Sequence, residues 1–216
     1  MKIITPLIVI AALAAIPWGA CSQEKVSIRP DLISPKSIAQ WEIDGSGVWT
    51  ISEGKLVITK AGVPSGPIRR PAAFAILNMK PLQSVTVDAD IRSTAPLDVI
   101  RRDLDFVVGY ESPTRFYYVH LAGINDSVHN GIFLVDNADR RRIDSGTGKP
   151  QLRDSLWHHV RVERDGASGR ISVYAGQSKV PVLQAVDKTI CCGRVGLGSF
   201  DDTGEFRRIT IGGFAR

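Results

Sequence analysis

Period-two alternation of apolar and polar residues runs through most of the chain beyond Cys21, and it constrains the fold more than any other feature. In Ser84–Arg92, Val85, Val87, Ala89 and Ile91 occupy one set of alternate positions, and Ser84, Thr86, Asp88, Asp90 and Arg92 occupy the other. Successive side chains of a strand point to opposite faces, so this segment reads as a half-buried strand. Arg170–Tyr174 and Glu205–Ile211 repeat the pattern more weakly. Further strands are predicted at Val48–Ser52, Lys55–Thr59, Phe74–Asn78, Leu104–Tyr110, Phe116–Leu121, Ile132–Asp136, Trp157–Glu163, Val180–Ala185 and Arg194–Phe200. Between them lie segments such as Glu53-Gly54, Glu111-Ser112-Pro113-Thr114, Asp165–Gly169 and Asp201-Asp202-Thr203-Gly204. Gly, Asn, Asp and Pro suit the backbone angles of tight reversals. Many short strands with regular turns imply an all-β fold, an antiparallel β-sandwich. Only Asp31–Gln40 suggests a short turn of helix.

The start of the chain has a different character. Lys2 precedes an apolar run from Ile3 to Ile16, interrupted by Thr5 and Pro6. Spanning a bilayer takes about 20 apolar residues. A charged start, a short apolar core and small residues after it describe an export signal, assigned to residues 1–22. Two processing routes stay open. Ala20-Cys21-Ser22 offers small residues for cleavage before Gln23. Trp18-Gly19-Ala20-Cys21 resembles a lipobox, apart from Trp18, and lipid on Cys21 would anchor the protein to a membrane. The expected location is secreted or periplasmic, with or without that anchor. Residues 23–40 read as a tether and 41–216 as one sandwich domain, since sandwiches reach roughly 200–250 residues as a unit.

Charge and cysteine usage narrow the partners. The formal net charge is +5, and loss of Lys2 with the leader lowers it by one. The arginines are scattered, in pairs at Arg69-Arg70, Arg101-Arg102 and Arg207-Arg208 and a triple at Arg140–Arg142. Nucleic-acid binding calls for a basic stripe with stacking aromatics or a known module, and neither is present, so no nucleic-acid partner is expected. Cys191 and Cys192 are adjacent, which suits neither a disulfide framework nor a zinc site. A strained vicinal disulfide or two small turn residues are the readings of that pair.

Chemistry concentrates in the polar middle. Arg101-Arg102-Asp103-Leu104-Asp105 leads into an apolar strand, and Phe116–Leu121 follows one turn later. The two read as a hairpin. Alternation puts Phe116, Tyr118 and His120 on one face of the second strand and Asp103 with Asp105 on one face of the first. His129 lies in the loop before the next strand. The candidate ligand-binding set is Arg102, Asp103, Asp105, Tyr118, His120 and His129. Carboxylates and imidazoles bond sugar hydroxyls, and an aromatic ring covers the C–H surface of a sugar. No catalytic residue, metal or cofactor is assigned. His158 and His159 point to opposite faces of their strand, which favours structural roles. Asp201–Gly204 reads as a turn, with calcium as its functional alternative.

The stretch Trp157-His158-His159-Val160-Arg161-Val162-Glu163-Arg164-Asp165-Gly166 with Gly169–Tyr174 resembles the late hairpin of concanavalin A-like sandwiches. So does Gly193–Phe200 after it, and Trp49–Leu56 resembles their first hairpin. Laminin-G-like modules and 3-keto-disaccharide hydrolase domains share this shape. The resemblance implies a jelly-roll sandwich and a carbohydrate partner. Two departures affect the hydrolase comparison. Val107-Val108-Gly109 stands where those domains often carry Asn-Ser-Gly, and Phe206-Arg207-Arg208 where they often carry Phe-Asp-Asn. No catalytic residue is therefore carried over. Three functions are implied: a carbohydrate-binding module, a glycoside-cleaving enzyme using His120 with Asp105 or Asp103, and a structural adhesion module.

Overall fold

The computed structural model describes residues 24–63, 66–146 and 148–215. The export signal expected at 1–22, with Cys21, lies outside the described residues. Fifteen strands follow in order: β1 Lys25–Ile28, β2 Trp41–Gly45, β3 Val48–Ser52, β4 Lys55–Lys60, β5 Ala73–Leu77, β6 Leu82–Ser93, β7 Asp103–Ser112, β8 Arg115–Ala122, β9 Gly131–Asp136, β10 Arg141–Arg142, β11 His158–Asp165, β12 Arg170–Ala175, β13 Leu183–Val186, β14 Arg194–Ser199 and β15 Gly204–Ala215. A short 3-10 helix spans Pro35–Gln40. The pairings are antiparallel and make two sheets. The first runs β13-β12-β11-β6-β15-β4-β3 with β1 beside β15, and the second runs β10-β9-β8-β7-β14-β5-β2.

Alternation decides what lies between the sheets. Val85, Val87, Ala89 and Ile91 of β6 pack there with Leu104, Phe106 and Val108 of β7 and Tyr117, Val119 and Leu121 of β8. Each side chain of this size, fully buried, stabilises the fold by roughly 1.5–3 kcal/mol relative to exposure. A second, smaller cluster lies on the outer face of the second sheet: Phe74, Ile76, Val107, Tyr110, Phe116, Tyr118, Phe133 and Val135. That face is not open. The segment before β5 crosses it, with Ile68 packed on the cluster and the fully buried Arg70 paired to Asp44 at 3.0 Å. Arg140 N donates to Arg69 O and Ala72 N to Phe200 O, which stitches the cover to neighbouring loops.

Two stretches differ from their sequence reading. Within the expected tether, Lys25–Ile28 pairs with Ile211–Phe214 of β15. Val26 and Ile28 pack against the core and Leu32 is buried. The short strand Trp41–Gly45, which pairs with β5, was also not anticipated. Each has few alternating positions, so local pattern marks it weakly.

Candidate functional site

The site begins with strand register. β7 and β8 pair so that Asp105 stands opposite His120 and Val107 opposite Tyr118. Asp103, Asp105, Tyr118 and His120 therefore share the outer face of the second sheet. The apolar cluster fills the middle of this face. At its end the covering segment leaves a small recess, about 210 Å³, with His120 and Asp103 among its walls.

His120 Nδ1 lies 2.8 Å from Asp105 Oδ1 and 4.0 Å from Asp103 Oδ1. With the proton on Nδ1, His120 donates to Asp105 and its Nε2 is an acceptor. His120 Nε2 and Asp105 Oδ2 are both buried without a hydrogen-bond partner. Asp103 is more fully engaged. Its Oδ1 accepts from Ser199 Oγ at 2.8 Å and Phe200 N at 2.6 Å, and its own N–H donates to Asp202 Oδ2 at 2.9 Å. Asp103 thus braces the loop after β14, while Asp105 and His120 keep capacity for a ligand.

Burial sets the electrostatics. It pushes the Asp105 carboxyl well above the usual carboxylate range, against the pull of Arg140 and aided by Asp201 and Asp202. Burial raises Asp103 in the same way, opposed by His120. Burial lowers the His120 imidazole, with Asp103 opposing. Desolvation disfavours every charged form, so each group is driven toward neutrality. Tyr118 is also raised, chiefly by burial, and stays a neutral phenol that accepts from Arg140 Nη1 at 2.8 Å. Its ring stacks on Phe133 with centroids 5.2 Å apart.

His129 joins the site from the loop before β9. Asp126 accepts from the Val128 and His129 N–H groups and from His129 Nδ1 at 2.8 Å, which fixes the imidazole. The His120 and His129 ring centroids are 5.7 Å apart. Arg102 does not join. One residue before Asp103, it points to the opposite side, where its Nη1 donates to Ala95 O and Asp154 O. Arg101 takes the place in the recess that the sequence reading assigned to Arg102. Both arginines precede β7, in the turn closed by the bond from Arg102 N to Val99 O. Arg69, Arg140, Phe200 and Asp201 also line the recess. They come from loops remote in sequence, and only the Arg pairs and the Asp-rich turn marked them beforehand.

Among the described residues, two groups bring three potential metal-ligand atoms within 4.8 Å: Asp103, Asp105 and His120, and Asp103, Asp201 and Asp202. Hard oxygen donors of this kind suit calcium. Asp103 belongs to both sets, and its Oδ1 already accepts from two hydrogen-bond donors. His158 and His159 pair separately, with Asp154 at 2.7 Å and Asp90 at 3.1 Å.

No protein-family model matches the chain, and no curated protein matches it. Solved structures match across most of its length. The carbohydrate-binding module CBM66 from Bacillus subtilis aligns with TM-score 0.57 and 16% identity, over 80% of this chain and 94% of that one. The fold is that of the concanavalin A-like sandwiches. The winged bean acidic lectin, solved with methyl-alpha-D-galactose, aligns with TM-score 0.57 and 14% identity, over 89% of this chain and 100% of that one. A Bauhinia forficata lectin in complex with GalNAc aligns with TM-score 0.53 and 13% identity, over 90% and 99% of the two chains. At these identities the likeness concerns the concanavalin A-like fold, and function is argued from the site.

Proposed function

We propose that this sandwich binds carbohydrate, and that the recess lined by His120 and Asp103, with Asp105 behind His120, takes a single sugar unit. One observation carries the reading: His120 Nε2 and Asp105 Oδ2 are buried without a hydrogen-bond partner, on two side chains joined by a 2.8 Å contact through their other polar atoms. A buried polar group without a partner costs roughly 1–3 kcal/mol. Sugar hydroxyls donating to both atoms would recover that cost. The volume, about 210 Å³, suits one ring rather than a chain. Ligand pockets more often hold roughly 300–1,000 Å³. The shared fold of the module and the lectins supports the reading without deciding it.

The test is calorimetric titration against glycans first selected on an array, with His120→Ala beside the unaltered protein. The variant should lose about 1–3 kcal/mol of binding free energy, measured on protein that a thermal melt shows to be folded. Unchanged affinity in a folded variant would sink the proposal.

A second reading is favoured by the 2.8 Å contact between His120 and Asp105. A carboxylate that orients an imidazole is the arrangement of a general base. Ordinary glycoside hydrolysis needs carboxyls flanking the bond, roughly 5–9.5 Å apart. Asp103 and Asp105 sit on one strand face, so proton abstraction fits them better than direct hydrolysis. Product formation from 3-keto or uronic-acid glycans, abolished in His120→Ala, would make the site catalytic. Export belongs to the same proposal. Mass spectrometry of the mature protein should find Gln23 first or lipid on Cys21, and an intact Met1 on cytoplasmic protein would refute it.

A further inference from the structure

Three arginines, Arg69, Arg101 and Arg140, line the small recess that also has His120 in its wall. Several arginines elsewhere pair with carboxylates, as Arg70 does with Asp44, Arg92 with Glu205, Arg142 with Asp144 and Arg161 with Asp88, and others such as Arg102 and Arg164 bond backbone carbonyls. The recess differs. Among the described residues, the side chains of Arg69 and Arg101 make no hydrogen bond or ion pair. Arg140 bonds only the neutral phenol of Tyr118, and its guanidinium lies 4.2 Å above the Phe200 ring and 5.0 Å above the Phe133 ring.

Of the carboxylates in or near the recess, most are engaged. Asp103 holds Ser199 Oγ and Phe200 N, Asp202 holds Asp103 N, and Asp105 holds His120. Asp201 is the exception, an exposed carboxylate at the rim that opposes any anion. Three cations with no carboxylate partner around one small recess leave positive capacity for an incoming group. A planar carboxylate fits a guanidinium fork through paired charge-assisted hydrogen bonds.

We infer that the recess selects a sugar unit bearing a carboxylate, a uronic acid, whose acid group meets Arg101 and Arg69 while its hydroxyls reach His120 and Asp105. This rests on the reading that the recess binds sugar. It adds the charge of the ligand and assigns recognition of that charge to the two rim arginines.

The experiment titrates the full mature protein with matched methyl glycosides of gluco, galacto and manno configuration, each as the neutral hexoside and the corresponding uronide. The uronide should bind at least about tenfold more tightly than its neutral partner, the yield of one charge-assisted contact. Raising the salt concentration should narrow that ratio, because exposed charges are screened. Arg101→Gln and Arg69→Gln alter exposed side chains and should each reduce the ratio of uronide to hexoside affinity. Asp201→Asn should tighten uronide binding roughly twofold to fivefold. Equal affinity for hexoside and uronide, lost alike in His120→Ala, would overturn the charge selectivity and leave sugar binding standing. No binding of any glycoside would overturn both.

Discussion

His120 and Asp105 form a pair whose position is unfavourable without a ligand. Both are essentially unexposed, and each keeps one polar atom unpartnered. The raised Asp105 carboxyl gives a pH signature. A carboxyl raised in the folded state contributes stability that is present below its unfolded pKa and lost as pH rises through the folded value. His120, lowered on folding, contributes in the opposite direction: its stability is present above the unfolded imidazole value and lost as pH falls through that region. Asp105→Asn keeps an acceptor for His120 and removes the buried charge. The variant should therefore be more stable than the parent near pH 8, with the difference shrinking toward pH 4, and should bind the ligand less well. Urea denaturation across that range checks it; a variant less stable at pH 8 would mean that the ion pair with His120 outweighs the burial cost. The pair was legible because Asp105, Tyr118 and His120 alternate on neighbouring strands joined by a turn. Arg140, Phe200 and Asp201 were not legible as partners, since loops remote in sequence deliver them. Arg102 was misread by one position, because it sits in the turn before β7, where strand alternation does not extend.

At the scale of elements, β7 holds the feature that links the site to the outer cluster. Its pairing with β8 slips between Val108 and Ser112, and Gly109 there has φ of +65°. Unbroken alternation from Asp105 would send Tyr110 between the sheets. The irregularity returns it to the outer face, where it stacks on Phe116 at 5.9 Å and reaches Asp44 Oδ2 at 3.4 Å. A Cβ on Gly109 would sit 3.3 Å from Ile190 Cγ2 as well as in a strained backbone region. Gly109→Ala should cost about 1–2 kcal/mol from the backbone alone, read as a lower urea midpoint, and an unchanged midpoint would show that the bulge tolerates a side chain. Close approach acts beside it on β14. A Cβ on Gly198 would meet Phe74 Cδ1 at 2.3 Å, so Phe74 can lie across the strand only because that position is bare. The sequence marks these glycines, but alternation alone cannot say that a strand changes face at one of them.

Across the whole molecule, the two-sheet architecture follows from many short alternating strands, whereas their order does not. β15, last in the chain, pairs with β6, β4 and β1, contacts far apart in sequence that no local pattern encodes. β1 makes this topology testable. β4 pairs with β15 only along Gly204–Phe206, and β1 covers the opposite end of the same edge along Ile211–Phe214. Ala215 N also donates to Glu24 O at 2.9 Å. Leu32 is buried, and Val26, Ile28 and Ile38 pack against the core. A chain beginning at Trp41 would lose all of these contacts and expose unpaired backbone along β15, a template for pairing with another chain. Relative to a chain beginning at Glu24, it should be less stable by at least about 2 kcal/mol, the transfer term for one fully buried aliphatic side chain. It should also associate as concentration rises. Urea denaturation and light scattering on the two chains give the comparison. Equal midpoints and equal monodispersity would mean that residues 24–40 serve as a tether and the sandwich stands without its first strand.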